Sequence, residues 1–407
     1  MKIITTVLVL LYLYTLAFGI FMTPIFRIPA PMIFCLPLLL FCKDDLPTGF
    51  RYGRTLLLLL VACLLYDVVG LSAINSFAAH GIAIFLCVCF FNYYVGNDSG
   101  RLRLTIYVFF AWLVCSSMVM VMDHFVDNTF VLRTLLMGEP IQQSPSGISI
   151  YQFTFGYQVA ALTSFAFIHS CVYRQPFIIK STVFLLCIVF LFLGMQRSAF
   201  IAFMAVVAVF MLFYYGSSAL FSLSLVTIIC IGIYNYVLKD NLGNMENIVT
   251  KNVHNDAAYN RSGLVEENLR IYLDYPYGLI FYGKSWGDVI YRDYVFASGI
   301  TSHNAYLMFF TYLGPFLGLG LLIAIYFKVM TVIVYAIRFI RNPANAMLVA
   351  LSFSFIGVSI NALSHNPWLI AADGPTLFLY FAMIHQYRQQ EQQILQPDAP
   401  FNKMAYV

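Results

Sequence analysis

Residues 302–327, "SHNAYLMFFTYLGPFLGLGLLIAIYF", decide the fold. After the opening Ser-His-Asn, the stretch from Ala305 to Phe327 carries no charged side chain. An α-helix needs about 20 predominantly apolar residues to cross the hydrocarbon core of a bilayer, and this run is long enough. The rest of the chain has the same character. Of its 407 residues 61% are hydrophobic and 10% charged, against roughly 25% charged in a soluble domain. Too few charges remain to cover a surface facing water. The chain is therefore read as an all-α, polytopic membrane protein.

Working outward, apolar runs of spanning length fall at 3–22, 24–42, 54–73, 77–94, 104–123, 151–172, 177–194, 199–215, 218–237, 304–327 or longer, 345–363 and 368–386, about twelve candidate spans. Pro and Asp interrupt the second and the last. The first run, Ile3–Phe21, is too long for the core of a signal peptide and lacks a small-residue cleavage site, so it reads as a membrane helix. The chain then divides into spans one to nine (1–237), a long loop (238–302), spans ten to twelve (303–387) and a tail (388–407). Nine cysteines lie within or beside apolar runs, the pattern of packing residues rather than of a disulfide framework or a zinc site.

Basic residues set the orientation. With the N-terminus in the cytoplasm, thirteen of them (Lys2, Lys43, Arg51, Arg54, Arg101, Arg103, Arg174, Lys180, Lys328, Arg338, Arg341, Arg388, Lys403) fall on the cytoplasmic side. The short outer segments hold only Arg27, Arg133 and Arg197. This is a strong positive-inside bias, and an even number of spans returns the C-terminus to the cytoplasm. Two outer segments are long, 124–150 and 238–302. The second carries six basic and eight acidic residues, and long loops cross largely regardless of charge. Within it, "NRSGLVEENLRIYLDYPYG" (260–278) places Leu264, Val265, Leu269 and Tyr272 at helical spacing before Pro276 and Gly278 end the run. The pattern predicts a short amphipathic helix lying over the membrane surface or a cavity mouth.

Ionisable residues at the edge of an apolar zone are expensive, so they carry the functional information. His303 and His365 both stand in Ser-His-Asn at the outer face, whereas His169 and His385 lie near cytoplasmic ends. His303 is expected to begin a helix with Ser302 as its N-cap. The exposed amides of a helix N-terminus disfavour imidazolium and keep the ring neutral, as a general base requires. The plain alternative is an interfacial histidine that only caps the helix or touches lipid headgroups. Arg197, in "LFLGMQRSAFIAFM" (191–204), is a lone outer arginine with almost no loop around it. It is either a snorkelling anchor or a planar fork for phosphate oxygens. Arg261 is a second candidate for the same place; Arg270, Lys284 and Arg292 are weaker ones. Asp67 and Asp373 lie in or near spans and could line a pathway. No phosphate-binding glycine loop, paired-cysteine motif, HExxH or paired-carboxylate signature is present, which disfavours a metal-dependent transferase.

With these residues set out, a resemblance emerges. "SHNAYLMFFTYLG" resembles the His-Asn, nine residues, Gly signature of the O-antigen polymerase and ligase superfamily of bacterial inner membranes. "GMQRSAF" resembles that family's Arg-Ser/Gly-Ala segment. "NRSGLVEENLRIYLDYPYGLIFYG" resembles its Arg…Asp-x-Pro-x-Gly stretch. The match covers most of 185–320; the N-terminal half matches in hydropathy alone, and Gly314 is followed by Gly318 and Gly320 where the family has Gly-x-x-Gly.

The resemblance implies a GT-C-like glycosyltransferase with its site at the periplasmic face and both termini cytoplasmic. It needs no cofactor, no metal and no nucleic acid. Donor and acceptor would be oligosaccharides on undecaprenyl diphosphate, among membrane lipids and with a chain-length regulator as a possible partner. His303 would take the proton of the attacking hydroxyl. Arg197, Arg261 and Arg270 would hold the diphosphate, with Ser302, Asn304 and Tyr306 in support. The acidic excess of the long loop favours polymerase over the ligase that joins O-antigen to lipid A-core. A lipid-linked oligosaccharide flippase, which also commonly has twelve spans, is disfavoured by the large loop and edge-placed polar residues.

Overall fold

The computed structural model describes residues 2–21, 28–41, 49–70, 73–126, 129–219, 224, 261–290, 303–365 and 374–395. All regular elements among them are helical. In chain order they are α1 (Lys2–Phe18), α2 (Ala30–Phe41), α3 (Gly53–Cys63, continued by a π segment, Leu64–Gly70) and α4 (Ile74–Cys89, continued by a second, Phe90–Val95). Then come α5 (Ser99–Asp123), α6 (Thr129–Met137), α7 (Gln152–Val172), α8 (Phe177–Leu193) and α9 (Arg197–Tyr215). The rest are α10 (Arg261–Asp274), α11 (Trp286–Ile290), α12 (Ala305–Arg338), α13 (Ala346–Asn361) and α14 (Gly374–Leu395).

Seven described helices are long and apolar enough to cross a membrane: Gly53–Gly70, Ile74–Val95, Ser99–Asp123, Gln152–Val172, Arg197–Tyr215, Ala305–Arg338 and Pro343–Ser364. Ile3–Phe18, Ala30–Phe41 and Phe177–Leu193 are shorter apolar helices. Leu57, Ile201, Phe316, Phe327 and Val334 all point outward, each more than half exposed. Apolar flanks of this kind are stable where lipid covers them and every backbone group is bonded within its own helix. The chain is a helical membrane protein. Most of the expected ninth span (218–237), residues 238–260 and 291–302 of the long loop, Asp373, and the tail beyond Leu395 lie outside the described residues.

The centre of the bundle is α7. Its apolar window is 89% buried, against 33% for α9. Lipid tails are as apolar as leucine, so helices in a bilayer associate through close packing of small residues rather than by hydrophobic drive. That packing is seen between α7 and α13: Ser354 Oγ donates to the Ala161 carbonyl at 2.7 Å, and a Cβ on Gly357 would come within 2.7 Å of Ser164 Oγ. At one end of the bundle His385 sits buried between the Tyr52 hydroxyl (2.5 Å) and the Gly96 carbonyl (2.7 Å). Arg388 stacks 4.5 Å from the centre of the Tyr52 ring. This histidine is a packing residue.

α12 is not one straight helix. Gly314 breaks it with φ 74° and ψ 179°, and Pro315 follows without an amide to donate. The second part, 315–338, holds 24 residues and so rises about 36 Å, enough to cross unaided. The first part, 305–313, is a half-helix folded against the protein. Its start differs from the sequence expectation. The first helical residue is Ala305 and the N-cap is Asn304, whose Oδ1 accepts from the amides of Tyr306 (3.1 Å) and Leu307 (2.9 Å). Asparagine immediately before the helix reaches both amides, and it ranks with the best capping residues. Ser302, expected to be the cap, lies outside the described residues, and His303 precedes the helix rather than beginning it.

Candidate functional site

Four helix termini meet at the end of the bundle opposite His385. They are the N-termini of α7 and α9, the C-terminus of α13, and the half-helix of α12. Tyr306 fastens the half-helix to α13: its hydroxyl donates to the Ser359 carbonyl at 2.9 Å and pairs with the Tyr326 hydroxyl at 2.9 Å. Ser198, the second residue of α9, has its hydroxyl 3.0 Å from His365 Nε2. That histidine is 4% exposed, with the rings of Tyr157 and Phe153 of α7 beside it at 5.8 and 6.4 Å. A Cβ on Gly156 would approach Gln196 Oε1 at 2.8 Å and Asn361 Nδ2 at 3.8 Å, so α7, α9 and α13 touch through polar side chains. Both polar atoms of the Asn361 amide and Nε2 of Gln196 are buried without a hydrogen-bond partner. Unsatisfied buried amides cost about 1–3 kcal/mol each.

The backbone is strained at the same end. Among the described residues three non-glycines have positive φ: Arg174, Met195 (53°) and His303 (52°). Two of the three fall in the segments singled out by sequence, one immediately before Gln196-Arg197 and the other the histidine itself. Such conformations cost about 1–3 kcal/mol and cluster where function requires them.

The long-loop segment joins this end through a backbone contact. Gly278 (φ 95°) and Gly314 (φ 74°) lie so close that a Cβ on Gly278 would sit 2.2 Å from the Gly314 nitrogen, and one on Gly314 would sit 1.9 Å from the Tyr277 carbonyl oxygen. Only glycine fits either position. α10 then packs on the half-helix with Leu264, Glu267, Asn268 and Ile271 inward. Thr311 Oγ1 donates to Asn268 Oδ1 at 2.6 Å, and Asn268 Nδ2 lies 3.2 Å from Met308 Sδ. This corrects the expected apolar face. Leu264 is buried as expected, but Leu269 faces out, and Val265 and Tyr272 are half-buried. The surface that α10 meets carries Thr311, so an asparagine wins the inner position.

The predicted residues thus fare unequally. Arg197 opens α9, half-buried, one residue before the serine that meets His365. Arg261 opens α10. Arg270 is exposed and paired to its own helix, with Glu266 at 2.8 Å and Glu267 at 3.4 Å. Pairing of a helix cation with carboxylates three and four residues away is common; here Glu266 is exposed and Glu267 is buried. His303 and Asn304 are half-buried at the mouth of the half-helix. His365, Ser198, Gln196 and Asn361 were missed as a group. The only signal was the second Ser-His-Asn.

A neighbouring cavity of about 420 Å³ is lined by Asp123, His124, Arg133 and residues 141–145 among others. Arg133, counted in the sequence as an outer cation, is buried there. It is held by Asp123 (2.9 Å), Ser144 (2.9 Å), Ser146 and the Gln143 carbonyl (3.5 Å), and so clamps the 138–150 segment. Among the described residues, none of the site residues expected from the sequence lines this cavity. No protein-family model matches the chain, and no curated protein matches it.

Proposed function

We propose that this chain is a bacterial inner-membrane glycosyltransferase of the O-antigen polymerase type. In this reading it has about twelve spans, both termini in the cytoplasm, and the long loop between the ninth and tenth spans on the periplasmic side. The donor is a glycan on undecaprenyl diphosphate, and the acceptor is the non-reducing end of another lipid-linked repeat. His303 removes the proton from the acceptor hydroxyl as its oxygen attacks the anomeric carbon. The bond from that carbon to the diphosphate breaks, and Arg197 with Arg261 takes up the charge on the leaving group. Arg270, the weakest of the three arginine candidates for the diphosphate, is exposed and also pairs with Glu266 and Glu267 of its own helix. A lipid diphosphate rides at headgroup level, where it would meet the polar groups gathered at this end of the bundle.

What supports this reading most is the contact of Gly278 with Gly314. Two segments, chosen from the sequence for a shared resemblance, meet backbone to backbone through the one residue type that permits it. Deleting the gene is the discriminating experiment. A polymerase deletion leaves lipopolysaccharide capped with a single repeat unit. Loss of every O-antigen band, the single unit included, contradicts polymerase and points to ligase or flippase. Within the polymerase reading, Arg197→Lys is expected to impair chain growth, because an ammonium lacks the two-pronged fork of guanidinium. Unchanged chain length in that variant reduces Arg197 to an anchor.

A further inference from the structure

A trio of side chains at the π segment of α3, two of them buried, plays no part in the site above. Cys63 closes α3, Asp67 follows within Leu64–Gly70, and His80 faces them from α4. The Cys63 thiol donates to Asp67 Oδ2 at 3.1 Å, and His80 Nδ1 lies 2.8 Å from the same oxygen. The three atoms all lie within 4.8 Å of one another. Cys63 and Asp67 are buried, while the His80 side chain keeps 26% of its surface and so leaves a way in.

The donor chemistry is selective. Sulfur, imidazole nitrogen and one carboxylate oxygen suit zinc and its neighbours, whereas calcium and magnesium take shells of oxygen. Zinc bonds run about 2.0–2.3 Å, which sets tetrahedral donors roughly 3.3–3.6 Å apart. The observed 3.1 and 2.8 Å would open by about half an ångström, within reach of side-chain rotation. Charge favours it too. A thiolate and a carboxylate neutralise a dication, so the loaded site carries no net charge into an apolar surround, where uncompensated charge is costly. π segments are rare and recur at functional sites. Tyr312 of the half-helix leans on the same segment. Its ring lies 5.4 Å from that of Tyr66, and a Cβ on Gly70 would touch it at 2.8 Å. Its hydroxyl is buried without a hydrogen-bond partner.

We propose that Cys63, Asp67 and His80 form a binding site for one divalent transition-metal ion of the zinc class. The ion displaces the thiol proton, which leaves to solvent. Cys63 then binds as thiolate, Asp67 as carboxylate and His80 through its neutral ring, with a fourth position open to water. The ion ties α3 to α4 beneath Tyr312.

The test uses the full-length chain, carried on an affinity tag without histidines, purified in detergent and stripped with a chelator. Zinc is then added and counted by elemental analysis, and cobalt(II) is added in parallel for its spectrum. One zinc per chain is expected, together with a thiolate-to-cobalt charge-transfer band that Cys63→Ser abolishes. Asp67→Asn and His80→Gln are expected to weaken zinc binding about tenfold or more. Should the variants fail to fold, the unmodified chain still decides through its cobalt spectrum. Less than one zinc per chain with no charge-transfer band overturns the proposal, as does a band that persists in Cys63→Ser.

Discussion

Ser-His-Asn occurs twice in this chain, at 302–304 and 364–366, and the two copies have opposite fates. The first stands ahead of a helix. Its asparagine caps the half-helix, and its histidine is forced into a left-handed conformation, half-buried at the mouth of the polar end. The second follows a helix. His365 has an extended backbone, is 4% exposed, and is held by Ser198 beneath the rings of α7. Identical tripeptides therefore give one half-buried histidine ahead of a helix and one buried histidine packed against α7 and α9. What differs is the direction in which the helix leaves, not the side chains.

The harshest way to break this comparison is to remove the fold that separates the two copies. Gly314→Ala places a Cβ at positive φ and 1.9 Å from the Tyr277 oxygen. The backbone penalty alone is about 1–3 kcal/mol, and α10 must leave the half-helix. Loss of activity with a marked drop in detergent melting temperature is expected. Gly320→Ala, where nothing lies within 4 Å, is the matched control and is expected to change little. Next come the histidines themselves. His303→Ala is expected to lower turnover by about 10²–10⁴, the usual contribution of a general base, with melting unchanged. His365→Ala strips Ser198 and the α7 rings of their partner and is expected to destabilise by about 1–3 kcal/mol, visible in melting before turnover. Equal effects on both readouts would erase the distinction between the copies.

Capping gives a smaller effect. Asn304→Ala is expected to cost about 1 kcal/mol, and Asn304→Ser to recover most of it. Ser302→Ala is expected to leave melting unchanged, since Asn304 already serves both amides. Smallest of all is Arg270→Gln, which breaks an exposed ion pair to Glu266 and a longer one to the buried Glu267, with the exposed pair worth about 1 kcal/mol or less. Near-normal stability and chain length are expected there. A strong loss of activity would place Arg270 on the diphosphate beside Arg197 and Arg261.

Much of the fold was legible because the bilayer imposes a length rule. The runs at 54–73, 77–94, 104–123, 151–172, 199–215 and 345–363 each coincide within a few residues with a helix able to span. Hydropathy is blind to breaks that keep a run apolar. Leu313-Gly314-Pro315 is as greasy as its surroundings, so the half-helix was hidden inside one long expected span. The candidate residues differ in how visible they are in the sequence. Arg197, Arg261 and His303 announced themselves as charges or imidazoles at apolar edges. Ser198, Gln196 and Asn361 carry no charge, and their convergence depends on how α7, α9 and α13 pack. Cys63, Asp67 and His80 illustrate the same limit: the cysteine read as packing, and only the pairing of α3 with α4 sets its thiol beside a carboxylate and a ring.

In the proposed reading His303, and not its twin, stands at the reacting centre. That reading is tested most directly by expressing His303→Gln and His365→Gln in a host deleted for the native gene, with membrane levels matched, and resolving the lipopolysaccharide by length. The account predicts single-repeat capping from His303→Gln and chains longer than one repeat from His365→Gln. A full ladder from His303→Gln would contradict it.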